Sequence, residues 1–89
     1  MTETFTFTAV LFRVEGPGGW TFAPVPPEVP LPPGGAWGRI PVRATVDGHS
    51  WDTSVWREKS GRVLLAIPAK VRGAKGPGAD VSVSLTFRG

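Results

Sequence analysis

The sequence predicts one all-β domain, a small split β-barrel of about six mostly antiparallel strands with one short helix near residues 68–73. Three observations carry this. Apolar residues recur with period two in several short segments rich in valine, threonine and phenylalanine, the pattern of half-buried strands. The chain's twelve glycines and ten prolines cluster between those segments, as turn residues do. A chain of 89 residues has room for a single core, and 40% hydrophobic with 19% charged residues is the profile of a folded chain.

The first strand is expected over Phe5 to Val14. Phe5, Phe7 and Ala9 face one way and Thr4, Thr6 and Thr8 the other. From Ala9 onward Val10, Phe12 and Val14 occupy the polar face, which points to a strand running from a sheet surface into a closed barrel. The segment 15–19, Glu-Gly-Pro-Gly-Gly, breaks it. Trp20, Thr21 and Phe22 begin a short second strand that Pro24 is expected to stop. In the stretch 24–33 proline excludes an ordinary helix, so a rigid connector is expected, with Val25, Val29 and Leu31 anchoring it on the core.

Ile40, Val42, Ala44 and Val46 then alternate with Arg39, Pro41, Arg43 and Thr45. Asp47-Gly48 is a type I′ hairpin signal, because both central residues need positive φ. A two-residue turn fixes the register. It sets Val46 against His49, Ala44 against Trp51, Val42 against Thr53 and Ile40 against Val55 on the core surface. Arg43 against Asp52 and Arg39 against Trp56 fall on the other, an ion pair and a cation–π pair. Val63 to Ile67 is apolar on both faces and reads as a central strand. Pro68 suits the start of a helix that Gly73 ends. Val81, Val83, Leu85 and Phe87 alternate with Ser82, Ser84 and Thr86 in a last strand.

Ordered motifs carry a resemblance. Phe7, Thr8, Ala9 and Leu11 come first, then Gly-Gly-Trp-x-Phe ending at Phe22. Pro-Val-x-x-Thr-Val-Asp-Gly over 41–48 follows, then Thr53-Ser54 and Ile-Pro-x-x-Val-Arg over 67–72. This set resembles the bacterial family of small β-barrels called domain of unknown function 1905 (DUF1905). The resemblance implies a barrel and no settled activity, so it brings no site residues. It also implies a helical segment between the second and third strands, where the prolines here forbid one. A shorter stretch, Leu65 to Val83, is similar to AbrB-type swapped-hairpin barrels, which are DNA-binding dimers; the likeness implies a split barrel more than it implies DNA binding.

Function narrows by exclusion. With no cysteine there are no disulfides, thiolate nucleophiles or thiolate metal sites. His49 is the single histidine, expected as a solvated turn residue, with no nucleophile or orienting carboxylate on its face. No catalytic residues, metal or cofactor are therefore expected. No apolar window reaches the roughly 18 residues of a membrane span, and the start lacks a signal-peptide pattern. A soluble cytoplasmic protein is the expectation. Net charge of +3 is ordinary for solubility. Arg57, Lys59, Arg62, Lys70, Arg72 and Lys75 form a basic run against Glu58, read as a solvated rim, with nucleic-acid binding as the alternative. Four tryptophans exceed what so small a core needs. Trp51 sits on the core face of the hairpin, leaving Trp37 and Trp56, with Arg39, as candidates for a ligand or partner surface. The expected role is a non-catalytic ligand-binding or protein-interaction module, its partner an unknown small molecule, a protein or a second copy of the chain, with an enzyme lacking a recognisable site as the second alternative after nucleic-acid binding.

Overall fold

The computed structural model describes residues 3–14, 19–31, 38–58 and 60–87. Its elements are β1 (Thr4–Val10), β2 (Phe12–Arg13), β3 (Thr21–Val25), β4 (Arg39–Val46), β5 (His49–Arg57), β6 (Val63–Ala66), α1 (Ala69–Arg72) and β7 (Asp80–Phe87). All seven strands lie in one sheet in the order β1-β7-β4-β5-β6-β3-β2, and every neighbouring pair is antiparallel. The two edge strands, β1 and β2, are one run of chain interrupted only at Leu11. The sheet therefore closes on itself, and its seam lies where that run passes from β7 to β3.

Leu11 marks that passage. Its N–H still donates to Ala79 O (2.9 Å) and its carbonyl accepts from Gly78 N–H (2.8 Å), on the β7 side. The next residue, Phe12, pairs with Phe22 of β3. One continuous strand was expected here, and its division at Leu11 accounts for the extra strand. Among the described residues, pairing across the seam covers Phe12↔Phe22 and Arg13↔Thr21, continued by Val14 N–H to Trp20 O (2.9 Å).

Proline explains why it stops there. Ile67 N–H donates to Thr21 O (2.9 Å), so Thr21, Ala23 and Val25 turn their backbone groups toward β6. Phe22 and Pro24 then face the seam, and Pro24 has no N–H to donate. Pro24 does not end β3, as the sequence suggested. It sits inside the strand opposite Leu64, with its missing donor on the side where no ladder is formed.

The hairpin of β4 and β5 has the expected register at every position from Arg39↔Trp56 to Val46↔His49. Asp47 (φ 47°) and Gly48 (φ 88°) both take positive φ, as the turn type requires. β6 is central, between β5 and β3. The helix is a single turn over Ala69–Arg72, with Pro68 as its N-cap and Gly73 (φ 58°) closing it, as expected.

The core is the barrel interior. Leu11, Ile40, Val42, Val46, Val55, Leu65, Val81, Val83 and Leu85 are its largest fully buried side chains. Val29 and Leu31 of the proline-rich connector pack against this core, as expected, and so does half-buried Trp51. The connector's described part is a turn closed by Val29 N–H to Pro26 O (3.1 Å).

Candidate functional site

The apolar positions of β1, β2, β3 and β6 that do not face the core face outward. In β6, Val63 and Leu65 fill the barrel, and the alternate residues Leu64 and Ala66 fall on the outer surface. Leu64 stands opposite Trp56 of β5 on one side and Pro24 of β3 on the other. Ala66 stands opposite Phe22, which in turn pairs with Phe12 across the seam. The Phe12 and Phe22 rings are 5.9 Å apart and tilted by 33°.

Leu64 is only 4% exposed, yet it is not part of the core cluster. It is covered from outside. Trp56 remains 43% exposed and Trp20 60% exposed. Trp20, Phe22, Trp56, Glu58, Leu64 and Ala66 line an outer groove of about 370 Å³.

Arginines edge the aromatic rings. The Arg39 guanidinium lies 5.8 Å from the Trp56 ring centroid, and its Nε donates to Ser54 Oγ (3.1 Å). That second contact gives the buried Ser54 hydroxyl a partner on an outer face. The Arg62 guanidinium lies 5.0 Å from the Phe12 centroid while its Nε donates to Glu58 Oε1 (2.6 Å). Arg13 rests its guanidinium against Gly19, beside Trp20. A side chain at Gly19 would displace the tip of Arg13, and it is the positive φ of +51° there that favours glycine.

On the other side of Trp20 lies a smaller cavity of about 210 Å³, lined by Gly19, Trp20, Thr21, Pro68 and Arg72 among others. Arg72 Nη1 donates to Lys75 O (3.3 Å). Arg72 Nε is buried and has no hydrogen-bond partner among the described residues.

The sequence candidates are placed as follows. Trp56 and Arg39 pair as expected, and Trp56 forms one wall of the groove. Trp37 lies outside the described residues, and so does Lys59. The other basic residues divide between the two ends of the barrel. Arg57 ends β5, whereas Lys75 Nζ donates to Asp47 Oδ2 (2.7 Å) at the hairpin turn where β5 begins. At about 3.3 Å per residue, β5 separates those ends by roughly 26 Å. Lys70 is exposed on α1, Arg62 is bonded to Glu58, and Arg72 lies beside Trp20.

Trp20 and Phe22 were not singled out as site residues by the sequence. The available signal was the apolar outer face of Val10, Phe12 and Val14, read there as a strand entering the interior. In the structure Val10 is 51% and Val14 45% exposed, and the face belongs to the outside.

Around the hairpin turn the chemistry is structural. Asp47 accepts from Lys75 and, through Oδ1, from Ser82 N–H (2.9 Å). These two bonds, with the nearby positive charge of Lys75, hold its carboxyl below the usual carboxylate range. His49 is exposed opposite Val46, and Asp52 bonds Arg43 (3.3 Å) on the other face of the hairpin. Among the described residues no three His, Cys, Asp or Glu side chains gather to hold a metal ion.

Fold and site together define a small split barrel with an aromatic groove on its outer wall. Residues 7–86 match the family model described as Domain of unknown function (DUF1905), and the chain belongs to that family. No curated protein matches it.

Proposed function

We propose that this chain is a non-catalytic ligand-binding module whose contact surface is the outer groove between Trp20 and Trp56. One observation carries the reading. An apolar floor, Leu64 and Ala66, is assembled outside the core and flanked by two tryptophans that keep about half of their surface in water. Indoles left half in water add little to a barrel that already has its core, so their place on the outer wall favours recognition over packing. The volume falls within the range of about 300–1,000 Å³ typical of small-molecule sites. Flat apolar groups are what two indole walls and an aliphatic floor accommodate. On this reading the module works in the cytoplasm, where a domain held by its core without disulfides is ordinary.

The test uses Nile red, a neutral flat dye, with tryptophan emission as a second readout and light scattering in the same samples. Dye binding that quenches tryptophan, and that falls at least about tenfold in affinity in Trp56→Ala, is the expected result. Equal binding by wild type and Trp56→Ala would refute the assignment of the groove. A stable dimer in which the tryptophans are blue-shifted and no dye binds would replace the ligand with a second copy of the chain.

A further inference from the structure

We infer that the ligand of this groove is a nucleotide unit, its base against the indole of Trp20 and its phosphate on Arg72. The inference rests on the groove being a binding surface and adds the chemical class of what it binds. Trp20 lines two cavities, both largely apolar, and the smaller also holds the charged Arg72. One face looks onto Phe22, Trp56, Leu64 and Ala66, an apolar surface for a planar ring. The other lines the small cavity that also holds Arg72.

The orphan donor is the informative group. A buried N–H of a guanidinium without a partner is costly, and folded proteins rarely tolerate it. Arg72 Nη1 is occupied by the Lys75 carbonyl, while Nε, on the edge by which a guanidinium binds oxyanions, has no partner among the described residues. An oxyanion in the small cavity, which Arg72 lines, balances the charge of its guanidinium. The Arg13 guanidinium, on Gly19 beside the same indole, adds a second positive charge to this end of the groove.

Phosphate is favoured because the rest of the outer wall repeats the pairing of ring with cation. Arg39 lies over Trp56 and Arg62 over Phe12. Stacking platforms alternating with arginines are the arrangement that takes successive bases and phosphates of a single strand. A net charge of +3 has the right sign for that partner. The basic cluster that matters is thus not the run 57–75 as a whole. It combines two members of it, Arg62 and Arg72, with Arg13 and Arg39, set around the rings by β2, β4, the turn before β6 and α1.

The experiment titrates the whole chain with fluorescein-labelled oligothymidylate, following anisotropy and tryptophan quenching. Thymidine 5′-monophosphate, inorganic phosphate and polyglutamate serve as competitors. The expected result is quenching by the oligonucleotide, competition by the monophosphate, and affinity that falls several-fold as salt rises from about 50 to about 200 mM. Arg72→Gln should weaken binding about tenfold or more, as expected for loss of a charge-assisted bidentate pair. Arg72→Lys, which keeps the charge but not the fork, should recover only part of it, and it carries the test should the glutamine variant fail to fold. Arg57→Gln, whose residue lines the cavity under the proline-rich connector and not the groove, should leave binding unchanged. Competition by the monophosphate assigns a single nucleotide; binding of the oligonucleotide alone assigns a strand, and both support the inference. Equal competition by polyglutamate, or oligonucleotide binding that Arg72→Lys and Trp20→Leu both retain, would overturn it. Nile red binding lost in Trp56→Ala, with no nucleotide or oligonucleotide bound, would overturn the nucleotide while leaving the groove a binding surface. Absence of both would remove the two together.

Discussion

Replacing Leu11 by alanine tests how the barrel closes. Leu11 is 1% exposed, belongs to the core, and stands at the one position where the chain changes partner strands. Its backbone bonds to Gly78 and Ala79 do not involve the side chain, so the substitution removes packing and leaves the ladder in place. Three buried carbons at about 0.8 kcal/mol each amount to about 2.4 kcal/mol of transfer free energy, and the cavity left behind raises the cost to about 3–4 kcal/mol. For a domain of this size, whose total stability is on the order of 4–13 kcal/mol, the melting temperature should fall by roughly 12–32 °C. The control is the adjacent Val10→Ala. Val10 is 51% exposed on the outer face, and its loss should cost under about 0.5 kcal/mol. Urea unfolding of both variants, read at unchanged slope, gives the two differences. Costs within about 0.5 kcal/mol of each other would refute the assignment of the inner and outer faces at the seam.

Two further outcomes follow from the backbone and the turn. Gly48→Ala should destabilise by about 1–2 kcal/mol through φ alone, since φ is +88° and a Cβ there would meet nothing within 4 Å. Gly76→Ala, equally open and without positive φ, should be neutral or slightly stabilising, and equal losses at the two positions by chemical denaturation would contradict the turn assignment. Asp47 governs the acid limb. Its folded pKa lies below the unfolded one because Lys75 and Ser82 bond the carboxylate, so its contribution is present at neutral pH and is lost as pH falls through that depressed value. Melting temperatures measured from about pH 6 to about pH 2 should therefore drop more for wild type than for Asp47→Asn, which tolerates the same positive φ. Parallel curves would show that the Asp47 bonds contribute nothing to stability.

Much of the fold was legible in the sequence, because its signals are local. Alternation in β4, β5 and β7 is a property of consecutive residues, and a two-residue turn carrying Asp-Gly leaves one register. The Arg39–Trp56 pair follows from that register alone, which is why one wall of the groove was anticipated. Three features were not legible, and each depends on residues distant in sequence. Pro24 reads as a strand stop until it is known that its nitrogen faces the seam, where no hydrogen bond is needed. An apolar residue on the second face of a strand reads as buried until the neighbouring strand is known. Phe12, Phe22 and Leu64 share an outer wall only because β2, β3 and β6 lie side by side. Arg72 reads as one member of a charged run until the short helix sets it beside Trp20 with an unpaired donor. By itself, then, the sequence determined the strands of β4, β5 and β7, the hairpin register, the absence of thiol chemistry and the surplus of tryptophan. Only the tertiary structure decided which apolar faces meet outside the core and which arginines accompany them, because closing a sheet brings together residues whose separation along the chain carries no periodic signal.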